Sequence, residues 1–288
     1  MQWDYLAIVA VSSLTSAAVL IIATLGLAVI FGLMGVINLA HGEFIMFGAY
    51  AALIATRQGV PLPLAVLFAA LITALFGAIV ERLIIRYLYG RLLDTLLATW
   101  GLSLALYQTA VLLFGSVTPG VGLPIASVDI GRYSISIYFL FLIVAAAVML
   151  GATYLVLTRT SYGIMARASI QDRETAAAIG IETGRINTVT FAFGAGLAGL
   201  AGGLLVPAFP ATPGMGIAFV AKAFLAVVVA GPVTLTGTAV AAGTLGWVAS
   251  ATASYATTVI GDIIFFVATI LLLRAFPNGI TDRWRLKL

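Results

Sequence analysis

Charged positions are rare along this chain, and the intervals between them are long. No Asp, Glu, Lys or Arg occurs in the 38 residues between Asp4 and Glu43, the 34 between Asp94 and Asp129, or the 26 between Arg132 and Arg159. A further 36 separate Arg185 from Lys222, and 39 separate Lys222 from Asp262. One membrane-crossing helix takes ~20 apolar residues at about 1.5 Å of rise each. The 26-residue interval is one span; the longest intervals cross twice or contain a break. Glycines and prolines divide the chain into candidate segments at 6–30, 32–56, 63–86, 95–115, 135–157, 187–207, 217–231, 237–257 and 259–275. Segment 217–231 is short for a full crossing and reads as re-entrant. The pattern predicts an all-α, polytopic integral membrane bundle with broken or re-entrant helices and about 8–9 membrane segments, all in a single domain over 1–288.

Composition agrees. Of 288 residues, 62% are hydrophobic and 8% charged, against about 25% charged in soluble domains. So few charges cannot cover a water-facing surface, so the solvent is lipid. Cysteine is absent, which excludes disulfides, thiolate metal sites and cysteine nucleophiles. The net charge of +4 is small, and basic residues in such a chain read as topology marks rather than a nucleic-acid surface.

Three basic clusters set the expected orientation. They are Arg82, Arg86 and Arg91; Arg159, Arg167, Arg173 and Arg185; and Arg274, Arg283, Arg285 and Lys287. With nine crossings all three fall on one side, which the positive-inside tendency makes cytoplasmic. The N-terminus, MQWDY, then faces outward and the C-terminus inward. It lacks the basic n-region of a signal peptide, so the first span is expected to be retained. Pro119, Gly120, Gly122 and Pro124 fall in an external loop, as do Pro207, Pro210, Pro213 and Gly214.

The cytoplasmic loop, about 158–187, contains RTSYGIMARASIQDRETAAAIGIETGRIN and is longer than a connector needs. Ser169 to Ile179 suits a short helix, with Asp172 and Glu174 in its first turn, where the dipole favours carboxylates. Gly180 suits its C-terminal stop, and Ile170, Ala177 and Ile181 can share a face. Such a helix either rests on lipid headgroups or docks into a partner.

Residues 35–44 read GVINLAHGEF and hold the only histidine, His41, beside Glu43. Gly35 and Gly42 would break the second span here. Charged groups within a membrane are costly and face partners or water-filled cavities. Asn38, His41 and Glu43 therefore line a solute path, form a structural break, or meet a partner subunit. In the structural case Asn38 caps a helix and Glu43 tethers backbone amides or an arginine. A proton relay lacks a second histidine. Tyr107 and Gln108 either donate to a solute or bond between helices, the latter being the commoner role. Gly194, Gly196, Gly199, Gly202 and Gly203 favour close helix packing over solute contact. Lys222 snorkels, pairs with a carboxylate, or attracts a solute carboxylate; Asp262 is placed near the outer surface without a special role.

Several stretches carry a resemblance. ETAAAIG, Glu174 to Gly180, is similar to the EAA motif of ABC-transporter permeases, with Thr175 in place of the first alanine. GLMGVINLAHGEFIMFGAY, Gly32 to Tyr50, resembles the hallmark of the branched-chain amino acid permease family of the LivH/LivM type. TFAFGAGLAGLAGGLL, Thr190 to Leu205, and PNGI, Pro277 to Ile280, resemble further segments of that family. GPVT, Gly231 to Thr234, departs from the family's paired-glycine turn.

The resemblance implies the permease subunit of an ATP-driven importer in the bacterial inner membrane. A second related permease, or a second copy, would complete the pore. Two ATPase subunits would sit below it, and a periplasmic or lipid-anchored binding protein would deliver the solute. Ser169, Asp172, Arg173, Glu174, Ala176, Ala177 and Gly180 would then couple to the ATPase. The chain has no GxxxxGK[ST], so ATP and Mg would belong to the partner ATPases. No catalytic, cofactor or metal residue is expected in this chain, and no nucleic-acid partner. The implied solutes are branched-chain or other small amino acids, with urea or short amides as the alternative; QDRETAAAIGI followed by TFAFGAGLAGLAG, and LTGT, are somewhat closer to the urea-type (UrtB-like) branch. A secondary transporter or channel is the competing class, and the long coupling loop argues against it. An intramembrane serine protease would depend on His41 alone, with no GxSxG serine.

Overall fold

The computed structural model describes residues 2–116, 120–122, 126–231 and 235–281. In chain order it forms α1 (Gln2–Met34), α2 (His41–Arg57), α3 (Leu62–Leu83), a 3₁₀ turn (Ile85–Leu88) and α4 (Leu92–Phe114). An antiparallel hairpin follows, β1 (Ser127–Ile130) and β2 (Tyr133–Ser136), leading into α5 (Ile137–Arg159). The rest is α6 (Ser161–Gln171), α7 (Arg173–Ala178), α8 (Thr183–Leu205), α9 (Met215–Ala230), α10 (Leu235–Tyr255) and α11 (Thr258–Ala275).

Nine of these helices match the nine segments read from the sequence. Six, α1, α3, α4, α5, α8 and α11, are long and apolar enough to cross a membrane. α2 and α9 have 17 and 16 residues, about 24–26 Å at 1.5 Å per residue. α10 is long enough but rich in Gly, Ser and Thr. The fold is all-α apart from the hairpin, which the hydropathy pattern does not reveal.

α8 is the hub because its glycines remove the side chains that would hold neighbours away. A Cβ on Gly194 would lie 2.8 Å from the Gly26 oxygen of α1, and one on Gly196 3.1 Å from Ala74 of α3. A Cβ on Gly199 would meet Thr73 of α3 at 2.4 Å, and one on Gly202 the Ile45 oxygen of α2 at 1.9 Å. Ala74 near Gly196 and Val66 near Gly203 make α3 antiparallel to α8; Ile30 near Gly194 and Gly26 near Ala198 do the same for α1, while Phe44 against Phe191 and Ala52 near Gly203 make α2 parallel to it. Small residues allow such approach in apolar surroundings, where dispersion rather than the hydrophobic effect drives helix association.

Two boundaries differ from the sequence reading. α1 runs through Gly32 to Met34, and the break spans residues 35–40, so it joins the first two helices instead of interrupting the second. Gly35, at φ +64°, ends α1. Gly42 is helical; a Cβ there would sit 2.2 Å from the Gly216 oxygen of α9, so it serves close approach. The second correction is in the loop. Ser169 belongs to α6, and Asp172, extended at φ −151° and ψ 105°, separates α6 from the six-residue α7. Ile170 and Ala177 therefore lie on different helices and share no helical face.

Arg82, Arg86, Arg91, Arg159, Arg167, Arg173, Arg185 and Arg274 gather at one end, with the C-terminal end of α1. Arg283, Arg285 and Lys287 lie outside the described residues, as do Pro119, Pro124 and Pro232 to Thr234.

Candidate functional site

The break between α1 and α2 is held by its own polar groups. Asn38 Oδ1 accepts from the Ala40 amide at 3.1 Å, and the Asn38 carbonyl accepts from His41 N at 3.3 Å. Asn38 thus holds the turn, and Ala40 occupies the N-cap position. Thr99 of α4 accepts from the Leu39 amide at 3.2 Å. Irregular backbone at membrane depth persists only when satisfied in this way.

His41 and Glu43 do not act together. Two residues apart on a helix, their side chains leave on different faces. His41 Nε2 lies 2.9 Å from the Ala23 oxygen of α1. A carbonyl only accepts, so Nε2 carries the proton. Nδ1 has no hydrogen-bond partner among the described residues. Glu43 is fully buried in the first turn of α2, where the helix dipole favours a carboxylate. Ser103 of α4 approaches it, although neither Glu43 oxygen meets full hydrogen-bond geometry. The expected arginine tether is absent among the described residues. Neither His41 nor Glu43 lines the main cavity. Tyr107 is half-buried and Gln108 exposed on α4, and neither lines it either.

That cavity, of about 850 Å³, opens at the end opposite the arginines. Its walls are the first half of α1, the β2 strand, the start of α5, the 206–214 loop, α9, the second half of α10 and the first half of α11. The 206–214 loop lies there because α9 starts beside Gly42, at the inner end of α2, so the chain re-enters the bundle after α8. Most of the lining is apolar, including Met215, Phe219 and Phe265; Ser12, Ser16 and Ser250 add hydroxyls. Lys222 of α9 and Asp262 of α11 both face the cavity, with Nζ 2.6 Å from Oδ1. Lys222 Nζ also sits 5.9 Å from the centre of the Phe265 ring. Asp262 therefore has a specific partner that its position near a surface did not suggest. The two residues lie 40 positions apart, so no local pattern signals the pair.

The basic end carries a second arrangement. Asp172 caps α7, its Oδ1 accepting from the Glu174 and Thr175 amides at 3.0 Å each. Its Oδ2 accepts from the Thr175 hydroxyl at 2.6 Å. These bonds, the Thr175 hydroxyl first, hold its carboxyl below the usual carboxylate value. Gly180, at φ +91°, closes the helix: its amide donates to Ala177 O at 3.0 Å, and that of Ile181 to Ala176 O at 3.0 Å. This is a Schellman stop. Ala176 is buried, while Glu174, Ala177 and Ile179 are exposed.

Arg173 sits 5.8 Å from the centre of the Tyr89 ring. The Tyr89 hydroxyl donates to Glu81 Oε1, and Thr188 of α8 donates to Glu81 Oε2 at 2.6 Å. Burial, and then the Glu81 carboxylate, push the Tyr89 phenol up, so it stays a donor. Glu81 is fully buried. The sequence reading missed it because it lies beside arginines taken as topology marks; it is the sole carboxylate between Glu43 and Asp94.

Comparison with known proteins adds the family. The family described as "Branched-chain amino acid transport system / permease component" matches residues 9–273. The high-affinity branched-chain amino acid transport system permease protein BraD of Pseudomonas aeruginosa is 32% identical over 296 residues, covering 95% of this chain and 94% of BraD. LivH of Escherichia coli, of the same description, is 28% identical over 281 residues, covering 90% of each chain. Among solved structures, PsaBC from Streptococcus pneumoniae in complex with Fab matches with TM-score 0.53 and 17% identity, covering 96% of this chain and 94% of that one. That likeness concerns the fold alone.

Proposed function

Since the chain belongs to the branched-chain amino acid transport system permease family, we propose that it forms the membrane path of an ATP-driven importer of branched-chain or other small amino acids. It is a permease subunit and, in this reading, does no covalent chemistry. Separate ATPase subunits would supply ATP and Mg, a second permease would complete the pore, and a binding protein would present the solute. The basic end would face the cytoplasm, and the cavity would open outward.

One observation carries the coupling role. α7 is a single helical turn and a half, capped at both ends, exposed on one side and wired inward through Arg173, Tyr89, Glu81 and Thr188 to α3 and α8. A short helix resting on lipid headgroups needs no such wiring. An ATPase movement delivered to α7 would reach the two helices that form the hub.

Uptake of radiolabelled leucine and of urea in the native host, with and without this gene, tests the solute class. Loss of leucine uptake supports the reading; loss of urea uptake alone moves the chain to urea or short amides. Gly180→Trp and Glu174→Arg test the coupling. Both variants should reach the membrane, fail to co-purify with a P-loop ATPase, and lose uptake. Normal uptake by both removes α7 from that role.

A further inference from the structure

The outer cavity carries a feature that helix packing alone does not need. Lys222 and Asp262 meet at 2.6 Å, yet their side chains remain 33% and 44% accessible. A structural pair between α9 and α11 could be replaced by apolar contacts at little or no loss, because removing two charges from water is itself costly. Ionisable groups at membrane depth that keep access to a cavity mark solute pathways. The cavity volume, about 850 Å³, lies within the ~300–1,000 Å³ range of small-molecule sites.

We propose that Lys222 and Asp262 form a head-group subsite for a zwitterionic α-amino acid. The Lys222 ammonium receives the solute carboxylate, and the Asp262 carboxylate receives the solute ammonium. The internal pair opens, and two intermolecular pairs replace it. The four charges sum to zero, so the occupied site carries no net charge into the membrane. The solute side chain then lies against Met215, Phe219 and Phe265, which line the same cavity. Urea has no charges to exchange for the pair, so the subsite favours an amino acid over urea. This inference rests on the importer reading above.

The test uses the assembled transporter in native membranes and a diazirine analogue of leucine. On irradiation, the probe should label α9 and α11 around Phe219 and Phe265. Excess leucine should suppress the labelling. Leucinamide, which lacks the carboxylate, and 4-methylpentanoate, which lacks the ammonium, should suppress it at least about tenfold less well, the value of one charge-assisted hydrogen bond. Lys222→Met and Asp262→Asn should each reduce labelling by a similar factor. Because a single change leaves an unpaired charge and can disturb folding, the double variant Lys222→Met with Asp262→Leu is the control. A purely structural pair predicts that the double variant restores labelling and uptake; the subsite predicts that it folds and labels poorly. Equal suppression by leucine and leucinamide, or full labelling of the double variant, overturns the subsite. If the deletion strain retains leucine uptake, the importer reading falls first. If leucine uptake requires the gene but labelling ignores the head group, the subsite alone falls.

Discussion

Glycine to alanine should change sign with position in this bundle, and the pair Gly202→Ala and Gly151→Ala isolates the cause. In a helix interior, alanine is favoured over glycine by roughly 0.5–1 kcal/mol. Among the described residues nothing lies within 4 Å of a Cβ built on Gly151 of α5, so that gain stands alone. A Cβ on Gly202 would sit 1.9 Å from the Ile45 oxygen and 2.6 Å from the Ala49 nitrogen. Both obstacles are backbone atoms of α2, so no rotamer change relieves them. A carbon–oxygen contact needs ~3.3 Å; from 1.9 Å, α2 must retreat by about 1.4 Å. That retreat opens the neighbouring Gly48–Gly199 approach, where a Cβ on Gly48 would be 2.4 Å from the Gly199 Cα. Overpacking of this kind costs about 1–3 kcal/mol; the immobile obstacle places Gly202→Ala near the upper end, from which the roughly 0.5–1 kcal/mol alanine gain is subtracted.

The expected outcome is a Gly202→Ala protein about 2 kcal/mol less stable than the parent and a Gly151→Ala protein about 0.5–1 kcal/mol more stable. The same chemical change would thus separate the two variants by roughly a hundredfold in unfolding equilibrium. Denaturant titration of each purified protein in mixed micelles, read by tryptophan fluorescence, measures the difference. Gly202→Ala as stable as the parent, or Gly151→Ala equally destabilised, would refute direct backbone contact as the reason α8 holds the bundle together.

Four further outcomes are expected. Tyr89→Phe keeps the ring beneath Arg173 but removes the donor to buried Glu81, a bond worth about 1.5–3 kcal/mol; ATP hydrolysis should persist while leucine uptake per ATP falls. Glu43→Gln replaces a carboxyl whose oxygens have no hydrogen-bond partner among the described residues and keeps the shape, so uptake should stay within about twofold of the parent, whereas its abolition would put the carboxyl group in the transport path. The lowered Asp172 carboxyl stabilises α7 above its ordinary value of 3.8 and loses that contribution as pH falls through the lowered folded value; a spin label at Ala178 should keep constant mobility from about pH 8 to 5 and loosen only below about pH 4, and Asp172→Asn should abolish the acid step. Gly279→Ala would place a Cβ 2.5 Å from the Gly231 Cα at φ +90°, so uptake should fall as far as in Lys222→Met; full activity would separate the C-terminal segment from the transport cycle.

What was legible in the sequence was whatever repeats locally. Runs without charge located all nine long helices, and Gly180 marked the end of α7 because a positive φ is needed there. What was hidden depends on contacts between distant segments. A glycine letter does not say whether it breaks a helix, as Gly35 does, or admits a neighbour, as Gly42 does. Lys222 and Asp262 were both visible, yet their pairing required the α9–α11 arrangement. The β1–β2 hairpin fell between two hydropathy signals and left no trace in either. Glu81 looked like one more charge at an arginine-rich turn; only Thr188 and Tyr89, brought in from elsewhere, make it a junction.

The stretch PNGI acquires a physical role from the structure. The Ile280 amide donates to the Val229 oxygen at 2.9 Å, and the Thr281 hydroxyl donates to the Ala230 oxygen at 2.7 Å. These are the carbonyls that the end of α9 leaves without helical partners. At its other end, α9 meets α2 backbone to backbone through Gly216 and Gly42. α9 is too short to anchor itself across a bilayer, and it is held instead at both ends. Its middle carries Lys222, whose partner Asp262 stands on α11, the helix that leads into PNGI. α9 and α11 are therefore joined twice, by an ion pair at the cavity and by a backbone clamp at the basic end. A displacement of the clamp must either strain that ion pair or carry the two helices together. In either case the cavity wall responds to the basic end, and because α9 also meets α2 at Gly216 and Gly42, the hub takes part in that response.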